Sequence, residues 1–316
     1  MGSRRWPRRS TPGRAVVAAV ALALALVPAL AGCDDAGPGA GEPTVAVTTP
    51  LLGAIVREVV GDAAEVDVLM PNGADPHDFA PSARDVEELT HADLVVENGL
   101  GLEQGLEEAL DEARRAGVPI FTATDHVRLR HPGEGEELEE DGEHGHGLED
   151  PHIWMDPLTM RDVVTALAPA AGKAVGADLA PAAAREERRL VALTREIRHD
   201  LAVIPAGRRR LVTGHDSMGY FADRFGFSLV GSIIPSFSSQ AEVSAGELAG
   251  LKRRVEGLGV PAVFTELGTP RNVAEALGGE LGIRVIEVPS HTLPDDGSYA
   301  SFMRTVANAV LEGLAP

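Results

Sequence analysis

Cysteine, aromatic rings and positive charge are all scarce in this chain. Cys33 is the single cysteine in 316 residues, so no intrachain disulfide can support the fold. Phe, Tyr and Trp make up only 4% of the residues, while Ala, Gly and Val are abundant. A core of small, closely packed side chains follows, which suits α/β units. Lys and Arg number 28 against 48 Asp and Glu, for a net charge of −20. Such a surface repels nucleic acid and attracts cations, so no nucleic-acid partner is expected. HExxH and GxSxG, two signatures of hydrolytic sites, are absent. The main apolar run, 15–30, is short for a membrane span and contains Pro28.

That run has another reading. Residues 1–14 are basic and contain no acid, and the run ends in Leu30-Ala31-Gly32-Cys33. A charged start, a short apolar stretch and small residues at a cleavage point describe an export signal. The last four residues also resemble a bacterial lipobox, in which the cysteine becomes the first mature residue and carries lipid. We therefore read 1–32 as a lipoprotein signal, Cys33 as the lipidation site and 33–43 as a flexible tether. Removing 1–32 takes away five arginines and no acid, so −20 becomes −25.

From residue 44 onward, short apolar strands alternate with amphipathic helical stretches. Strands are predicted at 44–48, 65–70, 93–96 and 118–121, with helices at 51–60, from Ser82, and at 102–116. This rhythm argues for parallel βαβ units. It breaks at 123–150, an acidic, Gly-rich tract with His131, His144 and His146, read as a mobile loop. A second series of strands and helices fills 205–316. Between the two, Leu190, Leu193, Ile197, Leu201 and Ile204 recur at three- and four-residue steps. They predict a long helix over 182–204. The fold class expected is α/β: two lobes, 44–181 and 205–316, each with a mostly parallel sheet flanked by helices, joined by that helix.

Four histidines follow predicted strands or sit in loops where a lobe's strands would end: His77, His152, His215 and His291. Ligands of open α/β sheets bind beyond the carboxyl ends of the strands. Two imidazoles from each half, facing across a cleft, would make one metal centre. Pro76 and Pro151 stiffen the backbone just before two of them. Asp75, Asp150 and Asp216 stand close enough in sequence to accept ring N–H bonds. His91, His126 and His199 lack such a setting and are read as surface or packing residues, and Trp154 and Met155 as packing.

With these residues in view, the chain resembles the zinc- and manganese-specific solute-binding proteins of bacterial ABC importers, the ZnuA/TroA/AztC type. The resemblance rests on Asp75-Pro76-His77-Asp78-Phe79-Ala80-Pro81-Ser82, Asp150-Pro151-His152-Ile153-Trp154-Met155-Asp156-Pro157 and Thr213-Gly214-His215-Asp216-Ser217. Gln240 to Ser244 and Val263 to Glu266 add to it. It implies two α/β lobes joined by a rigid helix, one metal between them, and a His-containing acidic loop ahead of the second ligand. The family's first three ligands fall on His77, His152 and His215. Its fourth is usually a carboxylate. Here His291 stands near that point and Asp295 just beyond, so both remain candidates. Glu266 is expected near the cleft, behind the ligands.

Imidazole nitrogen favours Zn²⁺, whereas Mn²⁺ prefers oxygen, and manganese-type relatives carry a carboxylate at the third position. The expectation is an extracytoplasmic, lipid-anchored, monomeric Zn²⁺ receptor, not an enzyme, that delivers its ion to an ABC permease with its ATPase. The alternatives are a Mn²⁺ receptor of the same family, a metal-buffering adhesin, and a zinc-dependent hydrolase. Catalytic zinc needs an open position, which a fourth ligand would close. The acidic tract is expected to raise the local metal concentration.

Overall fold

The computed structural model describes residues 1–3, 42–132 and 149–316. Residues 4–32 of the leader, Cys33 with the tether as far as residue 41, and His144 and His146 of the acidic tract lie outside the described residues.

Among the described residues, eight strands form two sheets. The first contains β1 (Thr44–Val47), β2 (Glu65–Val68), β3 (Leu94–Glu97) and β4 (Ile120–Thr122) in the order β2-β1-β3-β4. The second contains β5 (Arg210–His215), β6 (Ser228–Ile234), β7 (Ala262–Thr265) and β8 (Arg284–Glu287) in the order β6-β5-β7-β8. Every pairing is parallel, and both halves share one topology. In each, the chain reverses its winding beside the first strand, which opens a crevice at the carboxyl ends of the strands.

Side chains alternate between the two faces of a strand, and the packing follows that alternation. Val45, Val47, Leu94 and Val96 enter one large core, while Ala46 and Val95 enter a smaller one on the opposite face. In the second sheet Leu211, Ala262 and Phe264 join the same large core, and Val212 and Val263 face away from it. The large core thus belongs to both sheets. Helices supply much of its remaining wall: α1 (Pro50–Val60), α4 (Pro157–Val175), α5 (Ala180–Asp200) and α9 (Tyr299–Leu314), with Tyr220, Phe221, Ala222 and Phe225 from a shorter helix. The outer faces are covered by α2 (Ala83–His91) and α3 (Glu107–Ala116) on one side, and by α7 (Ala245–Leu258) and α8 (Arg271–Leu281) on the other. The short α6 (Gly219–Phe225) follows β5. Residues Glu42–Pro316 form one compact unit.

At about 1.5 Å per residue, α5 is roughly 30 Å long. It buries Leu190, Leu193 and Ile197 in the shared core and ends at Asp200, where a 3₁₀ turn, Leu201–Val203, takes over. Its apolar face therefore lies within the core that both sheets share. The ends of the acidic tract are structured too: Ala123–His126 is a 3₁₀ turn, and Arg130 and Asp150 are buried. Among the described residues, no helix is long and apolar enough to cross a membrane.

Candidate metal centre

His77 sits in the turn that follows β2. Asp75 shapes that turn: its Oδ1 accepts the backbone N–H of His77 at 3.0 Å, a side-chain-to-backbone bond suited to a tight loop. The residue is only half-buried, but its Nε2 is fully enclosed and without a hydrogen bond. His152 precedes a 3₁₀ turn, Ile153–Met155, that leads into α4. Asp150 Oδ1 accepts both its backbone N–H, at 2.9 Å, and its ring Nδ1, at 2.8 Å. Asn98, just past β3, donates to the carbonyl of Pro151 at 2.9 Å. The ring is thereby fixed with its proton on Nδ1 and a lone pair on Nε2.

His215 is the last residue of β5. Its backbone N–H donates to Glu266 Oε1 at 3.1 Å. Its Nδ1 also lies 3.1 Å from that oxygen, but off the line of a hydrogen bond, so the contact is chiefly electrostatic. Ser217 holds the other oxygen of Glu266 at 2.5 Å. His291 follows β8. Ser290 Oγ lies 2.8 Å from its Nδ1, and its Nε2 is buried with no partner.

One nitrogen from each of these four rings lies within 4.8 Å of the other three. His152 Nε2 and His215 Nε2 are 3.2 Å apart. A tetrahedron with metal–nitrogen bonds of about 2.0–2.1 Å has edges of roughly 3.3–3.4 Å, so this pair already stands at the required spacing. Burial disfavours charge on these rings. It holds His77 well below the ordinary imidazole value, aided by the neighbouring imidazoles. It lowers His152 against the pull of Asp150, and brings His291 down to about 3. His215 is the exception: burial works against its proton, but the Glu266 carboxylate prevails and raises it. Glu266 in turn overcomes its own burial and stays well below the usual carboxylate range, through the charge of His215, the bond from the His215 backbone N–H and the bond from Ser217.

The structure thus brings His77, His152, His215 and His291 together. Asp295 is exposed and is not among the group. Glu266 stands directly behind His215. Of the three aspartates read as ring acceptors, Asp150 reaches its ring. Asp75 instead serves a backbone N–H and Ser239, and the backbone N–H of Asp216 bonds the carbonyl of Ser236. His91, His131 and His199 are exposed, and His126 stacks on Phe121. Trp154 does more than pack, because its Nε1 donates to the carbonyl of Ser290 at 2.9 Å. A buried indole N–H needs a partner, and that was the available signal. Arg130, whose Nη1 lies 3.4 Å from Asp150 Oδ2, and Asn98 carried no signal: both act through residues distant in sequence.

Residues 45–313 match the family model ZnuA, described as zinc-uptake complex component A, periplasmic. The chain belongs to the ZnuA family. Members of this family are binding receptors for uptake and not enzymes. The chain is 27% identical over 293 residues to the zinc-binding protein TroA of Treponema pallidum, covering 87% of this chain and 90% of that protein. It is 26% identical over 307 residues to the manganese-binding lipoprotein MntA of Halalkalibacterium halodurans, covering 94% and 97%. The solved structure of Treponema pallidum TroA superposes with a TM-score of 0.75 at 26% identity, covering 87% of this chain and all of that one. A ZnuA crystal structure superposes with a TM-score of 0.72 at 23% identity and shares the fold. Two parallel sheets flanked by helices are thus the architecture of this family.

Proposed function

We propose that this ZnuA-family chain is an extracytoplasmic receptor that captures Zn²⁺ with His77, His152, His215 and His291 and hands it to an ABC permease. The observation that carries this reading is the set of converging ring nitrogens, two of them buried with no hydrogen bond. Burying an unpaired polar atom is costly, and one cation satisfies all four at once. Relatives carry both zinc and manganese in their names, so family membership does not choose the ion. The donor set does: four nitrogens with no carboxylate among them suit Zn²⁺ over Mn²⁺. Asp150 and Glu266, behind the rings, orient the imidazoles and help to balance the ion's charge. A fourth protein nitrogen also closes the position that catalytic zinc would leave open to water.

Delivery to a permease with its ATPase is supported by relatives named as substrate-binding lipoproteins of metal ABC transporters. The anchor proposed is lipid on Cys33, after removal of 1–32, with 33–43 as tether and the receptor acting as a monomer. Lobes at 44–181 and 205–316, joined through 182–204, would close on the ion, with the acidic tract within 123–150 concentrating it nearby.

The test is zinc uptake by the purified mature chain, measured by competition with a chelator of known affinity, together with anomalous scattering at the zinc edge. One zinc per chain, surrounded by the four ring nitrogens, is the expected result. A chain that stays metal-free in equimolar zinc, or that prefers manganese, would end the proposal. So would undiminished uptake in the His77→Ala, His215→Ala double variant.

A further inference from the structure

The fourth imidazole is carried by the segment after β8, and that segment is fastened to the other half of the molecule. Pro71 to Ala74, after β2, form a turn closed by the N–H of Ala74 on the carbonyl of Pro71 at 3.0 Å. Gly73, third in the turn, has φ of +83°, which a type II turn requires at that place. The turn presents the Asn72 side chain to the backbone of Leu293. Asn72 Nδ2 donates to the Leu293 carbonyl at 2.8 Å, and the Leu293 N–H donates to Asn72 Oδ1 at 2.8 Å. One amide thus pairs with both polar groups of one residue, as a neighbouring strand would. Leu293 is buried, and His291 stands two residues before it. His77 stands five residues after Asn72, so the clasp lies close to a ligand on each of its two strands of chain. On the other side of His291, the Trp154 indole holds the Ser290 carbonyl.

We infer that Asn72 is a positioning residue for the fourth ligand: by clasping Leu293 it seats the His291 ring in the cluster. This inference rests on the zinc reading above. Only a carboxamide of this length supplies donor and acceptor side by side. Aspartate keeps the acceptor but sets a carboxylate oxygen against the Leu293 carbonyl. Asn72 itself is exposed, so altering it removes nothing from the core. A rim hydrogen bond with no role in the site would leave zinc binding unchanged, which separates the two explanations.

The test is a double-mutant cycle on the mature chain, with zinc affinity read by chelator competition and ligand geometry read from the visible spectrum of bound Co²⁺. Asn72→Ala and Asn72→Asp are each expected to weaken zinc by about 10–100-fold, the range typical of groups that orient ligands. On the His291→Ala background, Asn72→Ala is expected to change affinity by less than about twofold, because coupled residues do not add. The Co²⁺ spectrum of Asn72→Ala should move toward that of His291→Ala. Wild-type affinity in both Asn72 variants, or an equal loss on both backgrounds, overturns the inference. Should Asn72→Ala misfold, Asn72→Asp, nearly identical in shape, decides the outcome through the same cycle. A wild-type chain that takes up no zinc refutes the zinc reading instead, and the two failures are thereby distinct.

Discussion

Each imidazole in the cluster depends on what stands behind it, and the two carboxylates show how. Asp150 meets His152 through both a ring nitrogen and a backbone N–H, while Glu266 meets His215 through a backbone N–H and close charge. Glu266→Gln keeps the size and one acceptor but removes the charge. We expect zinc affinity to fall by about 10–100-fold, as measured by chelator competition, and the protonated form of His215 to lose its main support. Affinity in this variant should therefore depend less on pH near neutrality. An unchanged affinity would mean that the carboxylate is a bystander. The histidines and Asp150 were legible in the sequence because each sits in a short motif after a strand or in a loop, with a proline or an acid close by. Asn72 was not. Its partner, Leu293, is 221 positions away, and no local pattern records a contact made only by the folded chain.

At the scale of elements, the strands were legible because valine, leucine and alanine alternate between two cores, and the alternation survives in the packing. Helix ends were less so. The helix Pro157–Val175 carries Pro169 within it. Proline removes a helical N–H, but the apolar face on either side, from Val163 to Ala171, is buried in the core, and packing outweighs the local signal. Other close approaches leave no trace in periodicity. Gly105, in the 3₁₀ turn Gln104–Leu106 before α3, lies so near the His77 loop that a Cβ there would sit 2.0 Å from the carbonyl oxygen of Phe79. That atom belongs to the backbone, so no side-chain rotation relieves the clash. Gly105→Ala should destabilise the metal-free fold by about 1–3 kcal/mol, seen as a lower urea midpoint with unchanged slope. It should also weaken zinc, because the displaced segment begins two residues after His77. A full-stability variant would show that this turn is free to move.

For the whole molecule, the buried titratable groups set how the metal-free fold responds to acid. His77, His152 and His291 are held below their ordinary values by burial. Between about 6.5 and those lower values the unfolded chain binds the extra protons, so stability rises with pH there and is lost on acidification. Glu103 opposes this. Burial raises its carboxyl to about 7, despite hydrogen bonds from Thr48 and the backbone of Asn98. It favours the folded state below its unfolded value and loses that contribution as pH climbs toward 7. His215, also raised, gives its contribution fully below about 6.5 and loses it as pH passes its folded value. In the window from about 5 to 6.5, three depressed imidazoles act against two raised carboxyls, Glu103 and Glu186, the latter also lifted by burial, and His215 keeps its contribution. The metal-free melting temperature should therefore fall from pH 6.5 to pH 5. Zinc held by the proposed four rings would bind only the folded chain and add stability by mass action, but protons compete for the same nitrogens, so the gap between loaded and metal-free melts should narrow in acid. Near neutrality the three depressed imidazoles are already neutral, leaving His215 as the ligand with a proton to lose. Titration calorimetry in buffers of different ionisation enthalpy should then find no more than about one proton released per zinc. A release near three would mean that burial does not hold these rings neutral, and a melting gap independent of pH would mean that the ion is held by something other than imidazole.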